Sequence, residues 1–194
     1  MAEKYYAVKK GTATGIFRTW DECKASVNGY SGAEYKSFPS AVEAKAYLEG
    51  GQNRRKDCVE IYVDGSYNSV TKEFSYGMVV LKDGLEETYN QSFDDAELAT
   101  MHNVAGEIKG AEAAMQYALD HHISKIAIYH DYEGIAKWCL GAWKTNKDGT
   151  KAYKAFYDKI SKEISIEFVK VAGHSNDKYN DMADHLAKEA LGIE

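Results

Sequence analysis

A chain of 194 residues that is 44% hydrophobic has room for one ordinary domain with a real core, or for one domain and a small satellite. Fifteen tyrosines against a single proline favour strands and exclude a disordered chain. No apolar run reaches the ~20 residues of a membrane-spanning helix. The first six residues carry charge where a secretion signal needs an apolar stretch, so a cytoplasmic protein with no membrane partner is expected. Cys23, Cys58 and Cys139 are odd in number and widely spaced. They fit neither a disulfide framework nor a zinc pattern, and reduced thiols are expected.

The formal net charge of −6 argues at first against a nucleic-acid partner, but its distribution is uneven. Residues 1–50 hold seven Lys/Arg and six Asp/Glu, residues 51–56 add Arg54, Arg55 and Lys56 with no acid, and residues 57–194 hold fourteen basic and twenty-four acidic side chains. An acidic body still binds phosphate when some of its acids hold divalent cations.

In chain order, residues 4–9 read as a strand, 11–15 as a tight turn and 15–19 as a returning strand. Residues 20–27 form a short helix and 34–38 a third strand, after which Ser40 opens a helix to Leu48. Paired glycines and polar residues from Gly50 to Lys56 mark a linker. The expected organisation is an N-terminal domain over 1–50, a linker over 51–57 and a larger domain over 58–194. In the larger domain, residues 59–63 are an apolar strand, and 75–81 and 87–92 are two more, joined by a hairpin turn at Lys82-Asp83-Gly84. A helix is expected over 103–120, a short buried strand over 126–129, helical patterns over 132–140 and 152–161, a last strand over 164–171 and a last helix over 178–191. Three strands followed by helix, strand, helices, strand and helix make an α/β layer with a mixed sheet.

Four acids stand where a structural acid is least expected. Asp64 ends the apolar strand Val59-Glu60-Ile61-Tyr62-Val63, and Asp131 ends the next short strand, after His130. Sites in α/β sheets form at the carboxyl ends of strands, so these carboxylates are expected at one edge. Glu107 lies early in a helix whose same face carries Ala111, Ala114 and Met115, and Asp184 lies between Ala183 and Ala187 on the last helix. Clustered carboxylates repel, and one takes up a proton unless a cation joins them. Hard oxygen ligands suit Mg2+ or Mn2+, and two such ions together activate water and stabilise a leaving oxygen in phosphodiester cleavage.

The blocks Val63-Asp64-Gly65-Ser66, Asn103-Val104-Ala105-Gly106-Glu107, His130-Asp131, and Gly173-His174 through Ala183-Asp184 resemble the four catalytic blocks of type 1 ribonuclease H, in that family's order. The resemblance covers about residues 58–191. It implies a ribonuclease H-like fold, a five-stranded mixed sheet with helices, and an endonuclease that hydrolyses the RNA strand of RNA–DNA hybrids with two Mg2+ or Mn2+ ions. It further implies Asp64, Glu107, Asp131 and Asp184 as catalytic metal ligands. His174 becomes a loop histidine that assists proton transfer or product release, and Asn103 a nucleic-acid contact. Asp181 is a rival to Asp184, but the family's Asn followed four residues later by Asp fits Asn180 and Asp184. His102 stands where relatives often have Thr. The basic, tryptophan-rich protrusion of some relatives is cut down here to Trp143-Lys144-Thr145-Asn146-Lys147, and Trp138 and Trp143 are read as core more than as contacts.

The segments Tyr6-Ala7-Val8-Lys9-Lys10-Gly11, Thr14-Gly15-Ile16-Phe17, Thr19-Trp20-Asp21-Glu22-Cys23 and Tyr35-Lys36-Ser37-Phe38 are similar to the hybrid-binding domain at the N-terminus of many type 1 ribonucleases H and in the caulimovirus viroplasmin. That likeness implies a small α+β domain of three strands and two helices. It implies Tyr6, Trp20, Tyr35 and Lys36 as contacts to the hybrid, with double-stranded RNA a further partner, and Phe17 and Phe38 fall to the core. Two other readings stand beside this one. The first is a non-catalytic protein that binds RNA–DNA hybrid or double-stranded RNA. The second is another two-metal nuclease or strand-transfer enzyme, which would not carry the N-terminal module.

Overall fold

The computed structural model describes residues 4–48, 58–173 and 177–193. The chain divides into two compact units, Met1–Arg54 and Arg55–Glu194. The linker expected over 51–57 and the loop histidine His174 lie outside the described residues.

The first unit contains β1 (Tyr5–Lys10), β2 (Gly15–Phe17), α1 (Trp20–Val27), β3 (Glu34–Phe38) and α2 (Ala41–Leu48), with an antiparallel sheet in the order β2-β1-β3. Alternation along β1 divides the small core. Ala7 packs with Phe38 and Ala44 on one side, and Val8 and Cys23 are buried apart from that cluster. α1 starts where it does because Thr19 and Glu22 form a reciprocal cap: the Glu22 amide donates to Thr19 Oγ1 (3.3 Å) and the Thr19 amide donates to Glu22 Oε2 (3.1 Å).

The second unit contains β4 (Val59–Tyr67), β5 (Phe74–Lys82), β6 (Leu85–Phe93), α3 (Asn103–Asp120), β7 (Lys125–His130), α4 (Gly134–Cys139), α5 (Asp148–Ile160), β8 (Ser165–Lys170) and α6 (Lys178–Ala190). Its sheet runs β6-β5-β4-β7-β8, antiparallel on the β6 side of β4 and parallel on the β7 side. The first two strands are buried almost throughout because helices cover both faces. Ile61, Val63, Met78, Val80 and Ile128 pack with Ile108, Ala111, Ala114 and Met115 of α3. Tyr62, Val79, Leu81, Ala127 and Tyr129 pack with Tyr179 and Ala183 of α6. The expected α/β class, mixed five-stranded sheet and separate three-stranded domain are all present.

Several boundaries differ from expectation, each for a physical reason. β4 does not stop at Asp64 but continues to Tyr67, paired with β5 through Asp64↔Gly77 and Tyr67↔Phe74. The strand's polar end is accommodated because Gly65 lies against the α3 backbone and Ser66 is buried. α5 begins at Asp148 rather than 152, where Gly149 in the first turn weakens the helical pattern. A 3-10 turn over Leu98–Met101 has no periodic signature. The β5–β6 hairpin turns at Asp83 and Gly84 with φ of 50° and 84°, the paired positive values a two-residue primed turn needs.

Candidate active site

Three glycines bring the helices onto the sheet. A Cβ on Gly106 would collide with the Ser75 carbonyl oxygen and the Gly65 Cα, and one on Gly65 would collide with the Asn103 carbonyl and the Glu107 amide. The first two turns of α3 therefore lie backbone to backbone against β4 and β5, which carries the Glu107 side chain into the sheet's end. Gly77 does the same for α6, whose Ala183 carbonyl and Ala187 amide occupy the space of its absent Cβ. Ser75 Oγ donates to the Ala187 carbonyl (2.5 Å) beside it.

The parallel ladder of β4 and β7 ends at Tyr62↔Tyr129. Asp64 and Asp131 are each two residues further on, so alternation puts both on the same face beyond the last rung. Carboxylate oxygens of Asp64, Glu107 and Asp131 lie within 4.8 Å of one another. Glu107 is 1% exposed and its Oε2 has no hydrogen-bond partner. Asp64 is buried too, and its Oδ1 accepts from the Gly65 amide (2.7 Å). Gly173, after β8, borders the cluster: a Cβ there would stand 2.8 Å from Asp131 Oδ2.

Burial, and then the charge of Asp131, push the Asp64 carboxyl up to about 7, with Asp184 adding to the effect. Burial, and then Asp64 and Asp131, raise Glu107 well above the ordinary carboxylate range. Asp184 reaches this field from α6 but lies outside the compact trio, and Lys188 Nζ donates to its Oδ2 (2.6 Å). Asp181 is exposed in the first turn of α6. Asn180 is buried with its Oδ1 unpartnered. His130, next to Asp131, is buried, donates from Nδ1 to the Tyr132 carbonyl (2.9 Å), and has its pKa lowered by burial.

The trio fits a divalent cation by its donor chemistry: three hard oxygen ligands converge, and one buried oxygen has nothing to satisfy it. Sequence reasoning reached the acids but missed Gly65, Ser75, Gly77, Gly106, Gly173 and Lys188. Gly65, Gly106 and Gly173 stand inside the four catalytic blocks, and small residues beside the acids are the available signal.

Among the expected nucleic-acid residues, Asn103 is exposed at the first position of α3. His102 before it has φ 55° and stacks on Tyr67 at 4.6 Å between ring centroids. In the N-terminal unit Tyr6 and Trp20 are 5.7 Å apart, and Trp20 and Tyr35 6.0 Å, with Trp20 and Tyr35 43% and 44% exposed. They are a surface cluster, not core. Lys36 does not join them. The register Val8↔Tyr35 and Ala7↔Lys36 puts it on the other face, its Nζ 5.6 Å from the Phe38 ring. Trp138 is buried, Trp143 is partly exposed, and the two rings meet edge on at 6.0 Å. Trp138 and Tyr132 also line a cleft of about 350 Å³ with Thr100, Val104, Asn146, Lys144 and Lys147.

Residues 56–192 match the family model of RNase H, and residues 4–48 match that of the ribonuclease H1 N-terminal domain. The chain belongs to the ribonuclease H family. Its two-part make-up is that of a type 1 ribonuclease H with the N-terminal hybrid-binding domain. Ribonuclease H1 of Homo sapiens is 26% identical over 253 residues, covering 95% of this chain and 88% of that protein. Ribonuclease H of Saccharomyces cerevisiae is 57% identical over 44 residues, 23% of this chain. LC11-RNase H1, solved in complex with an RNA/DNA hybrid, superposes with a TM-score of 0.55 at 17% identity, covering 69% of this chain and 99% of that one, and shows the shared fold. The enzyme is thus a ribonuclease H whose larger unit carries the acidic cluster.

Proposed function

We propose that this ribonuclease H cuts the RNA strand of RNA–DNA hybrids endonucleolytically, with two Mg2+ or Mn2+ ions held by Asp64, Glu107, Asp131 and Asp184. The carrying observation is the convergence of Asp64, Glu107 and Asp131 oxygens within 4.8 Å with one buried oxygen unsatisfied. When bound, such ions activate a water and stabilise the leaving oxygen of an in-line displacement. The protein's own part is to hold the acids. β4 and β7 fix Asp64 and Asp131, α3 inserts Glu107, and α6 holds Asp184 beside Lys188, from where it would supply the fourth carboxylate to bound ions. His174 is assigned to moving a proton to the leaving oxygen or aiding product release, tasks for which histidine is the side chain of choice near neutral pH.

Substrate grip is divided between the units. Hybrid duplexes are read through shape, 2′-hydroxyls and phosphates. The cleft beside α3, with the Trp138 and Tyr132 rings and the side chains of Lys144, Lys147 and Asn146, suits one strand's sugars and phosphates, and Asn103 stands near it on the same helix. The exposed Tyr6, Trp20 and Tyr35 cluster suits the hybrid in the N-terminal unit and gives that unit some affinity for double-stranded RNA. Lys36 contributes charge from the other face of β3. LC11-RNase H1, of the same fold, is bound to an RNA/DNA hybrid in its solved complex. The test is cleavage of three labelled duplexes, hybrid, RNA and DNA, with Mg2+ and with a chelator. Cutting confined to the RNA of the hybrid and abolished by chelator is expected. Equal cutting of all three, or cutting that survives chelation, would contradict the reading.

The N-terminal unit is assigned to tethering. Deleting residues 1–56 removes ten Lys/Arg and six Asp/Glu, a net of +4, and leaves an acidic body. KM for a long hybrid is expected to rise at least ~10-fold through lost effective concentration, with a shallower salt dependence because fewer phosphates are neutralised. Saturating turnover is expected to change little, and the KM effect to shrink for hybrids too short for both units. Steady-state kinetics on a long and a short hybrid check this, and equal losses on both would rule out the tether.

A further inference from the structure

Tyr62 and Tyr129, apolar filling in their strands by sequence, are the last rung of the β4–β7 ladder. Their rings stack at 4.3 Å between centroids with planes 14° apart, and each is 2% exposed. Tyr179 of α6 packs against the Tyr62 ring at 5.4 Å. Two residues before Tyr62, Glu60, also buried, accepts from the Tyr129 hydroxyl (3.2 Å). Two residues beyond the stack, on the same face, stand Asp64 and Asp131. Adjacent strands at this point have no further ladder pairing to hold them, while the two carboxylates they carry repel each other. The stacked rings are therefore the last rigid connection between the strands before the acids.

We propose that the Tyr62–Tyr129 stack is a positioning element that sets the separation and pleat of Asp64 and Asp131, and so the affinity of the site for its divalent cation. The proposal rests on the metal-site reading above. Flat rings in offset contact resist both closing and shearing of the two strands, whereas an aliphatic side chain of similar volume fills space without fixing an orientation. A ligand set must be held to a few tenths of an ångström, so loosening the floor acts on the cation before it acts on the fold. Tyr179 clamps the stack from α6, the helix that also bears Asp184, which ties the fourth acid to the same floor.

The experiment is a titration of the full-length, substrate-free protein with Mn2+, free ion being read by electron paramagnetic resonance. Tyr62→Leu and Tyr129→Met are each expected to raise the Mn2+ midpoint at least ~10-fold, and Tyr62→Phe to stay within about twofold, the range seen when groups supporting a metal's ligands are lost or kept. At saturating Mn2+, KM for the hybrid is expected to be unchanged in all three. Ile160→Ala, a cavity in the core at the far end of α5, serves as the control: it is expected to lower Tm without moving the midpoint. Two variants of different shape keep the test usable if one does not fold. A midpoint unmoved in Tyr62→Leu and Tyr129→Met, or moved equally by Ile160→Ala, would overturn the inference. A wild-type protein that takes up no Mn2+ would overturn the metal reading itself, and with it this inference, before any variant is compared.

Discussion

Asp131→Asn is expected to abolish hybrid cleavage, by at least about a thousandfold in kcat, while leaving the fold intact. The carboxamide keeps the side chain's shape and removes its charge. An ion that supplies several kcal/mol of charge stabilisation, about 4 kcal/mol for a thousandfold, loses one of its anionic ligands. Asp131 suits the test because it follows the end of β7 and is only half-buried, so the amide leaves no unsatisfied group in the core. A second consequence has the opposite sign. Burial raises both Asp64 and Glu107, and the Asp131 charge adds to each shift, so its removal relieves repulsion. The metal-free variant is therefore expected to melt at or above the wild-type Tm and to gain little from added Mg2+. Single-turnover cleavage and thermal melts with and without Mg2+ measure both effects. Turnover within tenfold of wild type would take Asp131 out of the metal site.

Gly106→Ala is the expected large effect on structure. Alanine in place of a helical glycine normally stabilises a helix by about 1 kcal/mol. Here its Cβ would enter the Ser75 carbonyl and the Gly65 backbone, atoms that cannot swing aside, and overpacking of this kind costs ~1–3 kcal/mol or more. The helix must shift outward and take Glu107 with it, and a displacement of about 1 Å in a catalytic group costs on the order of a hundredfold in rate. Loss of both stability and activity is the expected result. Gly149→Ala, whose Cβ would meet the end of the Leu98 side chain and graze the Met101 sulfur, is the comparison and is expected to be nearly neutral in both. Urea denaturation and cleavage assays on the two variants check the difference. A Gly106→Ala protein as stable as wild type would mean that α3 has room the packing does not show.

The acids were legible because each broke a pattern: Asp64 and Asp131 follow apolar strands, and Glu107 and Asp184 interrupt faces of alanine. The sheet's composition and order of elements followed from periodicity for the same reason, since strands covered on both sides and amphipathic helices differ plainly in spacing. What escaped was contact between distant segments. Asp64 reads as a strand end from its own segment, whereas β4 runs on to Tyr67, paired with β5, and Gly65 lies against α3. The resemblance names Lys36 beside Tyr35 as a hybrid contact, and the β1–β3 register sets the two on opposite faces of the strand. The tilted meeting of Tyr6, Trp20 and Tyr35 depends on register between β1 and β3 and on where α1 begins, and no single segment encodes it. The stacked Tyr62 and Tyr129 sit 67 positions apart, beyond the reach of any local rule.

The most direct measurement of the central claim, that the buried acids are a divalent-ion site, is the heat of Mg2+ binding at pH 7 in two buffers of different ionisation enthalpy. In the metal-free enzyme Asp64 is raised to about 7 by burial and by Asp131, and burial, Asp64 and Asp131 raise Glu107 well above the ordinary carboxylate range. The cluster therefore holds proton density near neutrality that an entering cation must expel. The sign for stability follows. Carboxyls whose folded pKa exceeds the unfolded value favour folding below about pH 4. That contribution is lost as pH rises through about 7 for Asp64. Mg2+ is expected to restore stability most strongly at and above that pH. The predicted result is a buffer-dependent heat showing release of about one proton per site on binding, absent in Asp131→Asn. Identical heats in both buffers, with Mg2+ bound, would contradict the claim and mean that the acids do not share one site.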